Sequence, residues 1–107
     1  MKTLSRYIVR HNALIKSAIG VIDANAAQVV LVVNNDDKLT GIITDGDIRR
    51  AILSNHSLDD PVSAIMTKSP LTLSSGATRS DALKVMRESV VRHIPVINDD
   101  RTLVDLF

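Results

Sequence analysis

The chain repeats itself. Slid along its own sequence by 64 positions, Arg6–Ile43 overlies Pro70–Phe107 without a gap. Identities fall at Ala13/Ala77, Ala18/Ala82, Val21/Val85, Val32/Val96, Asn34/Asn98, Asp36/Asp100 and Leu39/Leu103. Seven identities in 38 pairs are a thin signal alone, but the apolar positions around them match too, as in Ile19/Leu83, Ile22/Met86, Val30/Ile94 and Val33/Ile97. A self-similar chain must be read as copies of one unit before any local structure is assigned.

Each copy carries the same order of signals. A short extended piece (Tyr7–Arg10, Leu71–Ser74) comes first. Leu14, Ala18, Val21 and Ile22 then fall at helical spacing, as do Ala82, Val85, Met86 and Ser89. Thr78 with Asp81 three residues on is a capping-box start for the second helix. The β-branched runs Val29–Val33 and His93–Ile97 read as buried strands. Asn34–Asp37 and Asn98–Asp100 supply turn residues, and Leu39–Thr44 and Leu103–Phe107 further strands. The first copy continues into a helix over Ile48–Leu53.

Neither half buries both faces of so small a sheet, so the two must pack on each other. The expected fold is α+β, with two β-α-β-β-α repeats packed sheet to sheet about a pseudo-twofold axis. The first repeat is expected over residues 1–56, a polar linker and lead-in over 57–69, and the second repeat over 70–107. The second copy stops at Phe107, the equivalent of Ile43, without its last helix. The expectation is therefore a truncated second repeat, cut from a longer protein.

Composition removes several function classes. Aromatic residues are 2% of the chain, Tyr7 and Phe107, which disfavours base-stacking platforms for single-stranded nucleic acid. Thirteen Lys and Arg against twelve Asp and Glu leave a formal net charge of +1, short of a phosphate-backbone binder. No cysteine is present, so disulfides, thiolate metal sites and cysteine nucleophiles are excluded. No apolar stretch is long enough to cross a membrane and Met1–His11 is not a signal peptide, so a cytoplasmic location is expected.

Two clusters could hold a ligand. In Gly41–Arg50 a strand ends at Thr44 and a helix begins near Asp47, and a helix N-terminus attracts anions. Gly46 permits close approach there, and a carboxylate accepts two bonds from a vicinal diol such as ribose. Thr44 and Asp47 equally fit a capping box that needs no ligand. Arg92-His93, at the entry to the strand with Pro95, suits phosphate by bidentate arginine bonds, or is a solvated loop. His11 and His56 have no partner at metal-ligand spacing, so no metal is expected. Catalytic motifs are absent, and Asp36-Asp37, Asp59-Asp60 and Asp99-Asp100 sit in turn contexts rather than facing one another.

With the repeat and these residues in view, the sequence resembles a tandem pair of CBS domains, a Bateman module. The pattern Gly-h-h-Thr-x-x-Asp-h (h apolar) stands here as GIITDGDI, the second-copy run as VRHIPVI, and the lead-in as IMTKSPLT. The resemblance implies a cleft on either side of the pseudo-twofold axis that takes adenosine-containing ligands: AMP, ADP, ATP or S-adenosylmethionine. It implies that Asp47 holds ribose hydroxyls, that Thr44 lies near ribose or phosphate, and that Arg92 and His93, with Pro95 beside them, reach phosphate. Without aromatics, adenine is expected between Ile8, Val30 and Ile43. The second copy departs from the pattern: it has no Thr-x-x-Asp, and Asp105 replaces the glycine found at Gly41.

The run TDGDIRRAIL followed by SLDDPVSAIMTKSPLT resembles CBS pairs placed before a sugar-phosphate nucleotidyltransferase domain; pairs that follow sugar-phosphate isomerase domains carry a similar string. The expected function is thus nucleotide-sensing regulation of an attached C-terminal catalytic domain, in a chain with no catalysis of its own. The alternative is a structural module that forms homodimers, with Ile48, Ile52 and Leu53 at the contact and the clefts empty.

Overall fold

The repeat is written into the elements of the computed structural model, which describes residues 4–89 and 91–107. After a 3-10 turn over Leu4–Tyr7 come β1 (Ile8–Arg10), α1 (Ile15–Asn25), β2 (Val29–Val33), β3 (Leu39–Thr44) and α2 (Asp45–Leu53). A second 3-10 turn, Val62–Ala64, leads to β4 (Thr67–Lys68). The second copy supplies β5 (Leu73–Ser74), α3 (Arg79–Ser89), β6 (Pro95–Ile97) and β7 (Leu103–Leu106). Helices α1 and α3 begin and end 64 positions apart. The first sheet runs β1-β2-β3-β4 and the second β5-β6-β7, with a parallel first pair and an antiparallel second pair in each.

Even the irregularities repeat. Val33 pairs with Leu39 and Val32 with Gly41, which leaves Thr40 as an extra residue; Ile97 pairs with Leu103 and Val96 with Asp105, which leaves Val104. A bulge of one residue inverts the side-chain parity of the strand beyond it. Leu39 therefore joins Val29, Leu31 and Ile42 on the face turned to the other sheet, while Val30, Val32 and Ile43 point to the helices. Two cores result. Val29, Leu31 and Leu39 meet Leu106, with Ile97, Leu103 and Tyr7 packed around them, and this core belongs to both repeats. Val30, Val32 and Ile43 meet Ile15, Ala18, Ile48 and Val62 beneath α1 and α2. Each fully buried aliphatic side chain contributes roughly 1.5–3 kcal/mol. The sheets thus pack face to face about a pseudo-twofold axis.

The stretch 57–69 is more than a connection. Leu14 precedes α1 and makes no side-chain cap. The backbone carbonyls of Asp60 and Leu58 instead accept from the Ile15 and Lys16 amides at 2.9 and 3.0 Å, and Lys16 pairs with Asp59 at 2.9 Å. Two of the helix's orphan donors are satisfied from a segment more than forty residues later in the chain. Beyond it, β4 covers the outer edge of β3, and Met66 lies so close over Gly41 that a Cβ there would stand 2.6 Å from its sulfur. Helix α2 starts at Asp45, three residues before the expected Ile48, because Thr44 caps it.

Candidate functional site

The end of β3 and the first turn of α2 open onto a cleft of about 540 Å³ at the join between the repeats. That volume lies within the range of small-molecule sites. One wall is Thr44, Asp45, Gly46 and Arg49; facing them from the second repeat are Pro70, Leu71, Val91, Arg92 and His93. Ala27, Val29 and Ile42 complete an aliphatic lining. Among the described residues Arg92 and His93 make no ion pair. Arg49 stands 3.7 Å from Asp45, both side chains more than half exposed. The cleft therefore joins an apolar shelf to cationic groups from both repeats, beside a helix N-terminus.

Of the residues singled out from sequence, Thr44, Arg92 and His93 line this cleft. Asp47 does not: it faces a neighbouring shallow groove with Arg50 and His56. Its Oδ2 accepts from the Thr44 amide at 2.9 Å and the Thr44 hydroxyl at 3.2 Å, and its Oδ1 accepts from Arg50 at 2.8 Å. The Asp47 amide donates back to the Thr44 hydroxyl oxygen at 3.4 Å, which completes a capping box. A capping box also opens α3 in the second copy: the Thr78 amide donates to the Asp81 carboxylate at 2.9 Å and the Asp81 amide to the Thr78 hydroxyl oxygen at 3.1 Å. The Thr78 amide, then its hydroxyl, holds the Asp81 carboxyl below its ordinary value.

Val30 and Ile43 are fully buried against the helices, Pro95 is buried, and Ile8 packs into the core between the sheets. None of the four lines the cleft. Ile42, next to Ile43, does so instead, while Val29, next to Val30, borders the cleft from within the core between the sheets. Counting in twos from Thr44 along β3 reaches Ile42, which is the signal that would have found it. Arg49 was also legible, since it lies one helical turn from Asp45 on the face of α2 that begins at the cleft. A Cβ on Gly46 would first meet the flexible end of Arg50, at 3.2 Å.

Comparison with known proteins identifies the fold. The family profile described as the CBS domain matches the chain twice, over residues 4–54 and 62–107. An uncharacterized 17.7 kDa protein of Acidianus ambivalens is 31% identical over 94% of this chain and 61% of its own length. A probable arabinose 5-phosphate isomerase of Haemophilus influenzae is 39% identical over 73% of this chain and 23% of its own length. The chain thus spans less than two thirds of either relative. Among solved structures, the CBS domain protein of Pyrobaculum aerophilum complexed with AMP superposes with a TM-score of 0.83, covering 100% of this chain and 86% of that one at 21% identity. Among the described residues, no helix is long and apolar enough to cross a membrane.

Proposed function

The chain belongs to the CBS-domain family and carries the domain as a tandem pair, and on that premise we propose that it senses an adenosine nucleotide in the cleft between its repeats and regulates an attached catalytic domain. The observation that carries this reading is the cleft itself. It sets Thr44 and the N-terminus of α2 against Arg92 and His93, with an aliphatic shelf of Ile42, Leu71 and Val91 between them. Phosphate suits the cationic end, by bidentate arginine bonds and free helix amides. Adenine suits the shelf. The AMP bound by the Pyrobaculum protein supports the ligand class.

Because the cleft takes one wall from each repeat, a ligand that spans it binds one arrangement of the repeats better than another. The difference in affinity shifts that equilibrium, and any domain joined to it, by the same free energy. The Asp47 carboxylate is held by Thr44 on one oxygen and by Arg50 on the other, so its role as a diol acceptor requires these bonds to open on binding. The attached domain is one that acts on sugar phosphates, a nucleotidyltransferase or an isomerase, since the TDGDIRRAIL string resembles those of pairs joined to either. The match to a probable sugar-phosphate isomerase supports the substrate class.

Thermal-shift titration with AMP, ADP, ATP and S-adenosylmethionine tests the reading. A ligand at a hundred times its Kd adds about 2.7 kcal/mol, roughly 10–20 °C in a domain of this size. No concentration-dependent rise with any of the four overturns it.

A second reading, a homodimerising module, has its own observation: Ile52 and Leu53 are 54% and 81% exposed, side by side on α2. A monomer by sedimentation at high concentration removes it, as does a dimer that Leu53→Glu leaves intact.

A further inference from the structure

Across the cleft from Arg92 and His93 stands another arginine, on the opposite wall and in the other repeat. The α2 sequence places two arginines side by side, and they have different fates. Arg50 is bound to Asp47 at 2.8 Å, and that carboxylate is largely withdrawn from solvent, 12% exposed. Arg49 faces the cleft, and among the described residues its one carboxylate contact is with Asp45, a turn earlier, at 3.7 Å. At that distance, between side chains 73% and 51% exposed, the pair is weak and open to exchange. Asp45 lines the same cleft.

We infer that Arg49 is a phosphate-binding and specificity-determining residue, and that Asp45 holds it until a ligand phosphate takes the carboxylate's place. The inference rests on the nucleotide reading above and deepens it. A phosphate presents more acceptor oxygens than a single carboxylate and accepts from the arginine fork in a bidentate manner. Arg49 then grips the ligand from the first repeat while Arg92 faces it from the second. Phosphate charge, rather than the base, becomes what draws the two walls together. A nucleoside without phosphate leaves the Asp45–Arg49 pair untouched and gains nothing from it. Asp45 has two effects on a nucleotide: it occupies Arg49, and it repels the incoming phosphate. Removing its charge should therefore tighten nucleotide binding, a direction opposite to most substitutions in a site.

Calorimetric titration of the wild type, Arg49→Gln and Asp45→Asn with AMP and with adenosine tests this. Charge-assisted hydrogen bonds are strong enough for Arg49→Gln to weaken AMP binding by about tenfold or more. Asp45→Asn is expected to tighten AMP binding, and both variants to leave adenosine unchanged. An unchanged AMP affinity in Arg49→Gln, an equal loss for adenosine, or a weaker AMP affinity in Asp45→Asn overturns the assignment while the nucleotide reading stands. If neither AMP nor adenosine binds the wild type, the nucleotide reading fails and this one with it.

Discussion

Lys38 and Thr102, each the other's counterpart in the repeat, face one another as an antiparallel bridge across the join. On either side, the Leu39 amide donates to the Arg101 carbonyl at 3.0 Å and the Leu103 amide to the Asp37 carbonyl at 3.4 Å. Two residues that pair with their own equivalents lie on the axis that relates the copies. The left-handed backbone of Asp37 (φ 61°) recurs at Arg101 (φ 71°) and turns both chains into this bridge. The pseudo-twofold is thus built from hydrogen bonds as well as packing.

The shared core behind that bridge makes the repeats one cooperative unit. Leu39 is 2% exposed there. Leu39→Ala should cost about 2–5 kcal/mol and move the whole urea transition as a single step. Val104, the unpaired residue of the β7 bulge and 40% exposed, provides the control. Val104→Ala should change stability by less than about 0.5 kcal/mol. A biphasic transition in Leu39→Ala, with half the signal unmoved, contradicts a common core.

Gly41 and Asp105 are equivalent by the repeat, yet only one tolerates a side chain. A Cβ on Gly41 would meet the Met66 sulfur at 2.6 Å and the Thr67 carbonyl oxygen at 3.0 Å, while Asp105 is exposed. Gly41→Ala should destabilise by about 1–3 kcal/mol through overpacking, in equilibrium denaturation. Asp105→Ala should stay near neutral. Equal effects at the two positions would show that β4 does not press on β3 as described.

The capping carboxylate of α3 predicts an acid limb. Asp81 has a folded pKa below its ordinary 3.8, from the Thr78 amide and hydroxyl. A depressed carboxyl stabilises the fold at pH values above the unfolded pKa, and that contribution is lost as pH falls from about 3.8 through the lower folded value. Asp100 acts in the same sense, lowered by the Thr102 hydroxyl and amide. Asp81→Asn should therefore be less stable than the wild type at neutral pH and converge on it as the pH falls below 3.8, as followed by thermal melts. A gap that persists unchanged at low pH contradicts this linkage.

Much of the architecture was legible because the period of 64 carries turns as well as apolar residues. Asn34 and Asn98 accept backbone amides in corresponding turns, from Lys38 and from Thr102. What stayed hidden is tertiary. β4 is two residues long, and nothing in Thr67-Lys68 announces a strand; its pairing exists because the chain returns along β3. The first turn of α1 is capped by carbonyls from a distant segment, which no local motif records. The sequence also does not show which aliphatic residues of the strands face the cleft, for a related reason. In β2 all five side chains are buried, so the run shows no alternation from which to tell the sheet-facing positions from the helix-facing ones. At Thr44 the cap and the cleft position turn out to be compatible, because the hydroxyl caps α2 while the residue stays at the cleft's edge. Asp47 was legible as a cap; its turn toward Arg50, away from the cleft, was not.

The central claim is that a nucleotide occupies the space between Thr44 and Arg49 of the first repeat and Val91 and His93 of the second. Titrating the chain with AMP while following backbone amides by two-dimensional NMR tests it residue by residue. The account predicts saturable shifts concentrated at Thr44–Arg49 and Val91–His93, with the fully buried Val30 and Ile43 little moved. Saturating AMP without shifts at those two segments, or with shifts confined to the exposed Leu53 end of α2, contradicts it.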